Sequence, residues 1–309
     1  MPGVIAVTPR SLSVSGHPAL SALSEAGFDV SFPTPGKQPT AEEQLSFLPE
    51  CVGYLAGAEP ISRTLLERCP NLRVISRNGV GVDAVDLAAA AEFGIAVETT
   101  PGANSQGVAE LAIALMLSGL RHIPWSDRQV KAGVWQRREG IEVNGRTLGV
   151  IGCGQVGQRV ARMALGLGMA VRAFDEYPDL GFTLGGDFGF AQLGEVLRAS
   201  DVVTLHCPPG HRPLIDTEAL AKLRQGAYLV NTARASLVDH GAVLLALDEG
   251  RLSGFATDVF DLEPPTVDEL LVRDNVLATP HAGGLTAESV ERATCAAVEN
   301  LLRVLAVAT

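Results

Sequence analysis

The chain has 309 residues, 47% of them hydrophobic, and a net charge of −11 at pH 7, enough to bury the core of one large domain or two ordinary ones. An acidic balance with no basic stripe argues against nucleic-acid binding. No apolar run approaches the roughly 20 residues that a membrane helix needs. Read from the N-terminus, strands and helices alternate. Val4 to Thr8 reads as a strand, His17 to Ala26 as helical and Phe28 to Phe32 as extended. Thr40 with Glu43 three residues on has the form of a capping box opening a helix. Val52 to Ala56 is a strand, and Ser62 is placed to cap a short helix through Arg68. Leu72 to Ser76 and Ile95 to Glu98 are strands flanking the helix AVDLAAAAEF. This first segment reads as a flavodoxin-like α/β unit of five strands.

From Gly107 to Arg121 the pattern changes to one long helix, and the chain stays mostly helical to Trp135. Further strands follow at Leu148, Val171, Val202 to Leu205, Tyr228 to Asn231, Gly254 to Asp258 and Val276 to Ala278, with helices between them. Gly181 to Phe190 is a loop around a short strand. Thr286 to Val307 is a long helix with apolar residues Val290, Ala293, Ala297, Val298, Leu301 and Leu305. The fold class that results is α/β, with two Rossmann-like or flavodoxin-like doubly wound parallel sheets.

The most informative stretch is TLGVIGCGQVGQRVARMALGLGMAVRAFD, Thr147 to Asp175. Gly152, Gly154 and Gly157 form G-x-G-x-x-G directly after an apolar strand; a helical pattern and a second strand follow, and that strand ends at Asp175. In a dinucleotide site the first glycine allows the tight turn. The second lets the backbone approach a pyrophosphate, and the third lets helix and strand pack closely. The helix start offers unpaired N–H groups to phosphate. A carboxylate at Asp175 would accept from ribose hydroxyls and repel a 2′-phosphate, so the expected cofactor is NAD. The five cysteines form no C-x-x-C pair, and no His/Cys cluster has metal-ligand spacing. With an opening, MPGVIAVTPR, that lacks the layout of a secretory signal, they predict reduced thiols in a cytoplasmic protein.

A second constellation lies downstream. Arg234 follows the strand ending at Asn231, Asp258 stands at a strand end with Glu263 soon after, and His281 follows the strand Val276 to Ala278. Ligands of open α/β sheets bind at that carboxyl edge. Arginine can hold a carboxylate and polarise a carbonyl with its planar fork. Histidine can deliver a proton to a developing alkoxide. A carboxylate on its ring fixes the tautomer and raises its pKa.

At this point the chain resembles the D-isomer-specific 2-hydroxyacid dehydrogenases, in their phosphoglycerate-dehydrogenase-like branch. The matching pieces are SRNGVGVDAVDLAAAAEFGIAV, TPGANSQGVAELAIALML, NGRTLGVIGCGQVGQRVA, NTARASLVD, ATDVFDLEPP and TPHAGG. The resemblance implies a substrate-binding domain from residues 1–98 plus 284–309 and an NAD-binding Rossmann domain from 99–283, with the active site in the cleft between them. It implies that Arg234 orients substrate, that His281 is the acid/base and that Glu263 is its partner. Asp258 would contact the nicotinamide carboxamide. Gln155 and Val156 would present N–H groups to the pyrophosphate, and Cys207, Thr232 and Gly284 would line the cofactor site. The turn Asn78-Gly79-Val80-Gly81 would bind the substrate carboxylate, with Asn104 nearby. The helical segment from Gly107 to Trp135 resembles a dimerisation region, which implies a homodimer, and Arg137 and Arg138 are placed to reach a neighbouring subunit.

There are departures from the family. Ala84 and Ala235 stand where the family often has Asn and Gly. Arg77 matches one arginine that phosphoglycerate enzymes use, but YLAGAEP offers Ala56 and Gly57 where the other would lie. With the chain ending at Thr309, this argues against 3-phosphoglycerate as substrate. The expectation is an NAD-dependent oxidoreductase acting on a small D-2-hydroxy acid and its 2-oxo acid, with Arg77 suggesting a second anionic or polar group on the substrate. 3-Phosphoglycerate dehydrogenase is the first alternative, and an NADH-sensing, corepressor-like interaction protein the second.

Overall fold

The computed structural model describes residues 3–306. The chain divides into two compact units, one made of the residues up to Asn104 with those from Leu285 on, the other Ser105–Gly284.

The first unit contains β1 (Val4–Val7), α1 (Arg10–Ser13), α2 (Ser21–Glu25), β2 (Asp29–Ser31), α3 (Ala41–Phe47) and β3 (Cys51–Ala56). It continues through α4 (Arg63–Leu66), β4 (Val74–Arg77), α5 (Leu87–Glu92) and β5 (Ala96–Glu98). All pairs are parallel, in the order β2-β1-β3-β4-β5, which is the flavodoxin-like winding with its switch point between β1 and β3. β3 and β4 are buried along nearly their whole length because helices cover both faces of such a sheet. One cover comes from the far end of the chain. The long C-terminal helix places Ala297, Val298, Leu301 and Leu305 against Ile5, Val7, Leu55 and Val74.

Local signals explain several helix starts. Thr40 and Glu43 form the capping box, each accepting from the other's backbone N–H at 3.2 and 2.9 Å. Asp86 caps α5 by accepting from Ala89 N at 2.8 Å, so that helix starts three residues later than Ala84. Ser62 holds the cap position of α4, but its hydroxyl bonds Thr64 Oγ1 at 2.9 Å and makes no bond to the helix backbone.

The second unit contains α6 (Ser105–Leu120), α7 (Ile123–Lys131), β6 (Thr147–Ile151), α8 (Gln155–Gly166), β7 (Ala170–Phe174), β8 (Phe188–Phe190) and α9 (Leu193–Ala199). It continues with β9 (Val202–Leu205), α10 (Thr217–Lys222), β10 (Ala227–Asn231), α11 (His240–Asp248), β11 (Leu252–Thr257) and β12 (Val276–Ala278). The seven parallel strands run β12-β11-β10-β9-β6-β7-β8. This is the Rossmann winding extended by one strand, and its switch point falls between β6 and β9. Helicity stops at Lys131, short of Trp135: Gly133 takes φ +75°, and Trp135 stands 84% exposed in an irregular segment. The final helix, α12, spans Ala287–Ala306; the expected end at Val307 lies outside the described residues.

Candidate functional site

The nucleotide turn occupies the switch point of the second sheet. Gly152 follows β6 with φ +89°, and a Cβ there would stand 2.5 Å from Cys207 N. A Cβ on Gly157 would stand 2.1 Å from the Gly152 carbonyl oxygen, so α8 lies directly against the turn. Gly154 is different: a Cβ there would meet no atom within 4 Å. Two glycines are thus demanded by the protein's own packing, and the third faces open space. Gly154 is also the N-cap of α8 and supplies no side-chain cap. The N–H groups of the first turn, those of Gln155 and Val156 among them, have no carbonyl one turn earlier to bond, so they and the helix dipole are available to an anion.

Asp175, after β7, accepts from Cys153 N at 2.7 Å through Oδ2 and from Tyr177 N at 2.9 Å through Oδ1. Each oxygen retains a lone pair for a further donor. Thr232 is 7% exposed, and its buried Oγ1 has no hydrogen-bond partner among the described residues. Such a hydroxyl fits a site built to bond something else. Burial pushes the Cys153 and Cys207 thiols up to about 12 and 11, so both are neutral, space-filling groups at neutral pH. Gly284 ends this unit, half-buried. A phosphate-accepting helix start, an acid at the second strand and an orphaned buried hydroxyl together fit a dinucleotide.

Arg234, Asp258, Glu263 and His281 come from three neighbouring strand ends of the same sheet. Arg234 donates through Nη1 to Ala233 O at 2.7 Å. Asn231 braces this loop on both sides, donating to Arg234 O at 2.8 Å and accepting from Ala233 N at 3.0 Å. Asp258 is 1% exposed and accepts from Thr279 Oγ1 at 2.6 Å, Ala282 N at 2.8 Å and Gly283 N at 2.8 Å. Its carboxylate therefore pins the backbone around His281.

His281 takes φ +51°, a region unusual for a side-chain-bearing residue. Its Nδ1 lies 2.9 Å from both Glu263 oxygens. Glu263 also accepts from Phe260 N at 3.3 Å. The hydrogen bond to Glu263 raises the pKa of His281, outweighing the burial and the Arg234 charge that lower it. Burial alone would raise Glu263, but the His281 hydrogen bond and nearby positive charge bring it below its ordinary value. The ring is held by Nδ1, and Nε2 has no bonding partner among the described residues.

In the first unit, Arg77 ends β4 and the turn 78–81 follows. Arg77 is 7% exposed and donates to Gly81 O at 3.2 Å and Glu59 O at 3.5 Å. Asn78 N donates to Ala56 O at 2.9 Å, and Gly79 O accepts from Thr100 N at 3.0 Å. Val80 is 46% exposed at the tip. Asn78 Oδ1, Ser76 Oγ and Thr100 Oγ1 are buried around the turn with no hydrogen-bond partner among the described residues. Asn104 is half-buried where the unit ends. Sequence reading gave no role to Asn231, Thr100 or the buried Glu59: Thr100 and Glu59 meet Gly79 and Thr8, far away in sequence, whereas the Asn231 side chain bonds the nearby Ala233 and Arg234, a local loop brace that its place at the strand end could have suggested. Of the arginine pair beyond α7, Arg138 lies 3.9 Å over the Trp125 ring and bonds Asp274 at 2.9 Å.

A doubly wound parallel sheet with this glycine turn defines a dinucleotide-binding protein of the dehydrogenase type. The chain belongs to the D-isomer-specific 2-hydroxyacid dehydrogenase family: residues 113–283 match the family's NAD-binding domain. It is 38% identical over 273 residues to a D-3-phosphoglycerate dehydrogenase of Methanocaldococcus jannaschii, covering 86% of this chain and 52% of that one. It is 37% identical over 275 residues to a hydroxypyruvate reductase of Thermotoga maritima, covering 86% of this chain and 89% of that one. The chain thus spans about half the length of its phosphoglycerate-dehydrogenase relative and most of its hydroxypyruvate-reductase relative. Among solved structures, D-lactate dehydrogenase of Aquifex aeolicus in complex with NAD and lactic acid matches with a TM-score of 0.84 at 28% identity, covering 98% of this chain and 96% of that one.

Proposed function

We propose that this protein is an NAD-dependent oxidoreductase that interconverts a small D-2-hydroxy acid and its 2-oxo acid. The observation that carries the reading is the His281–Glu263 pair: Nδ1 is held 2.9 Å from both carboxylate oxygens, and Nε2 is left to face a ligand. NAD bound at the glycine turn supplies the two-electron chemistry at the substrate's C2. Arg234 binds the substrate carboxylate and polarises the carbonyl. In the reductive direction protonated His281 donates its Nε2 proton to the oxygen as negative charge develops there, and Glu263, bonded at Nδ1, stabilises the protonated ring before the transfer and fixes the tautomer after it. In the oxidative direction neutral His281 accepts the same proton.

The cofactor contacts belong to this reading. Gly154, Gln155 and Val156 meet the pyrophosphate, Asp175 holds the adenine ribose, and Cys207, Thr232 and Gly284 line the site. Asp258 fixes the His281 loop and has one acceptor position left for the nicotinamide amide. By the family resemblance, Arg77, Asn78, Gly79, Val80 and Asn104 are assigned to substrate binding. A homodimer and a cytoplasmic location complete the assignment. The test is kinetic: Arg234→Ala and His281→Ala should each lower kcat by about 10²-fold or more. Turnover within twofold of the parent for both variants would overturn the reading.

The name of the Methanocaldococcus relative favours a second reading, 3-phosphoglycerate dehydrogenase. The two are separated by comparing hydroxypyruvate with 3-phosphohydroxypyruvate, which differ only in a phosphoryl group.

A further inference from the structure

The carboxyl ends of β1 and β3 in the first unit hold a buried polar cluster that the proposed mechanism does not use. At its centre is Glu59, 1% exposed, in the irregular stretch that follows β3. Its Oε1 accepts from Thr8 Oγ1 just past β1, from the Tyr54 hydroxyl of β3 at 2.5 Å and from Gly57 N at 2.9 Å. Thr8 and Tyr54 are as deeply buried as the acid they bond. Burial first, and then the Glu59 charge, push the Tyr54 hydroxyl far above its ordinary range, so it remains a donor at any working pH. The carboxylate also lies against the backbone of its own loop: a Cβ on Gly57 would stand 2.8 Å from Glu59 Oε2.

The loop fixed in this way holds both ends of the 78–81 turn. At the start of the turn, Asn78 N donates to Ala56 O at 2.9 Å, one residue before Gly57. At its end, Gly81 O accepts from Arg77 Nε at 3.2 Å, and Arg77 Nη1 reaches the Glu59 backbone carbonyl at 3.5 Å. Loops and tight turns at a sheet edge sample many conformations unless side chains tie them down. A carboxylate that takes three donors from β1, β3 and the loop is a strong tie, because hydrogen bonds to a charged group are roughly twice as strong as neutral ones and burial strengthens them further.

We propose that Glu59 is a positioning residue for the substrate: by clamping the 56–60 loop to Thr8 and Tyr54, it holds the 78–81 turn in the conformation that receives the 2-oxo acid. This rests on the reading that the turn binds that acid. A turn held in advance has little freedom to lose on binding, and its grip is the same in the ground state and the transition state. Loss of the clamp is then a loss of uniform binding, which raises KM and leaves kcat in place. It also shows without substrate, because the Gly57 and Asn78 amides, which the clamp keeps bonded, become free to exchange.

Glu59→Gln keeps the size of the side chain and removes its charge. Wild type and variant, as full chains, are compared by hydrogen exchange, by NADH titration and by steady-state rates on whichever of glyoxylate, hydroxypyruvate and pyruvate the wild type reduces best. Exchange of the Gly57 and Asn78 amides should quicken at least tenfold, while the amides of α12 stay within twofold. KM for the oxo acid should rise at least tenfold, with kcat within threefold and NADH affinity within twofold. Gly57 and Asn78 exchange within twofold of the wild type would overturn the clamp. Quickened exchange with KM unchanged would overturn the positioning role, as would a fall in kcat at constant KM. Should Glu59→Gln fail to fold, Tyr54→Phe, which removes one of the three donors, decides: both exchange and KM should rise at least threefold, and wild-type values for either would contradict the inference. Absence of wild-type turnover on all three acids would refute the underlying function, a result distinct from the exchange outcome, which tests the clamp without substrate.

Discussion

Asp258 holds the backbone on both sides of His281: its buried carboxylate takes the Thr279 hydroxyl and the N–H groups of Ala282 and Gly283, and between them His281 sits at φ +51°. The left-handed conformation costs on the order of 1–3 kcal/mol and persists where surrounding bonds over-determine it. Asp258→Asn loses acceptor capacity on one side and places an N–H₂ group against N–H donors. We expect kcat to fall by about 10-fold or more and stability by roughly 1–3 kcal/mol, measured by initial rates and thermal melting. Parent-like values in both would show that the loop holds itself.

The pH dependence follows from the same pair. The Glu263 hydrogen bond raises the pKa of His281, so the protonated ring needed for reduction persists to higher pH than an ordinary histidine would allow. Reduction should be fastest below that raised pKa and fall as pH rises through it, while oxidation shows the opposite limb. Glu263→Gln removes the stabilising charge, and both limbs should move to lower pH. Full pH–rate profiles of the two proteins check this; limbs that stay in place would separate Glu263 from the titration.

The three glycines of the nucleotide turn should fail differently. Gly157→Ala puts a methyl 2.1 Å from Gly152 O, where neither backbone can yield cheaply, and overpacking of this kind costs about 1–3 kcal/mol. Gly154→Ala meets no protein atom within 4 Å, so its melting temperature should match the parent. The methyl would nevertheless project where a pyrophosphate must approach, and NADH affinity should drop about tenfold, or ~1.4 kcal/mol. Calorimetric titration with NADH alongside thermal melts tests both; unchanged NADH affinity in Gly154→Ala would displace the cofactor from this turn.

The exposed apolar residues of the second unit bear on assembly. Ile123, Val130, Val134 and Trp135 are all exposed, Trp135 to 84%. Large apolar groups exposed along one helix and its exit fit the contact surface that the proposed homodimer needs. Sedimentation should give twice the chain mass of 32.3 kDa, and Trp135→Glu should shift the population toward monomer. A monomeric parent at micromolar concentration would refute the dimer.

Much of this architecture was legible in the sequence because it is encoded locally. The glycine spacing, the apolar strand before it and the acid at Asp175 lie within one βαβ segment, where turn geometry and hydrophobic period decide the outcome. The Thr40 box was readable for the same reason. Trp135 was assigned to a mostly helical segment although the stop signal was present: Ala132-Gly133 carries the glycine that takes positive φ just past the last turn. The Glu59 cluster and the Asp258 bonds were not legible. Thr8 lies 46 residues from Tyr54 and 51 from Glu59, and Asp258 meets its partners 21 to 25 residues away, so only the folded chain shows that these groups share lone pairs.

The most direct measurement is NADH oxidation at 340 nm by the purified chain with glyoxylate, hydroxypyruvate, pyruvate, 2-oxoglutarate, oxaloacetate and 3-phosphohydroxypyruvate, with NADPH as the parallel cofactor. Steady NADH-dependent turnover of a singly charged 2-oxo acid, weaker with NADPH and abolished in His281→Ala, is the predicted result. Tight NADH binding with no turnover of any oxo acid would contradict it and leave a dinucleotide-sensing protein in its place.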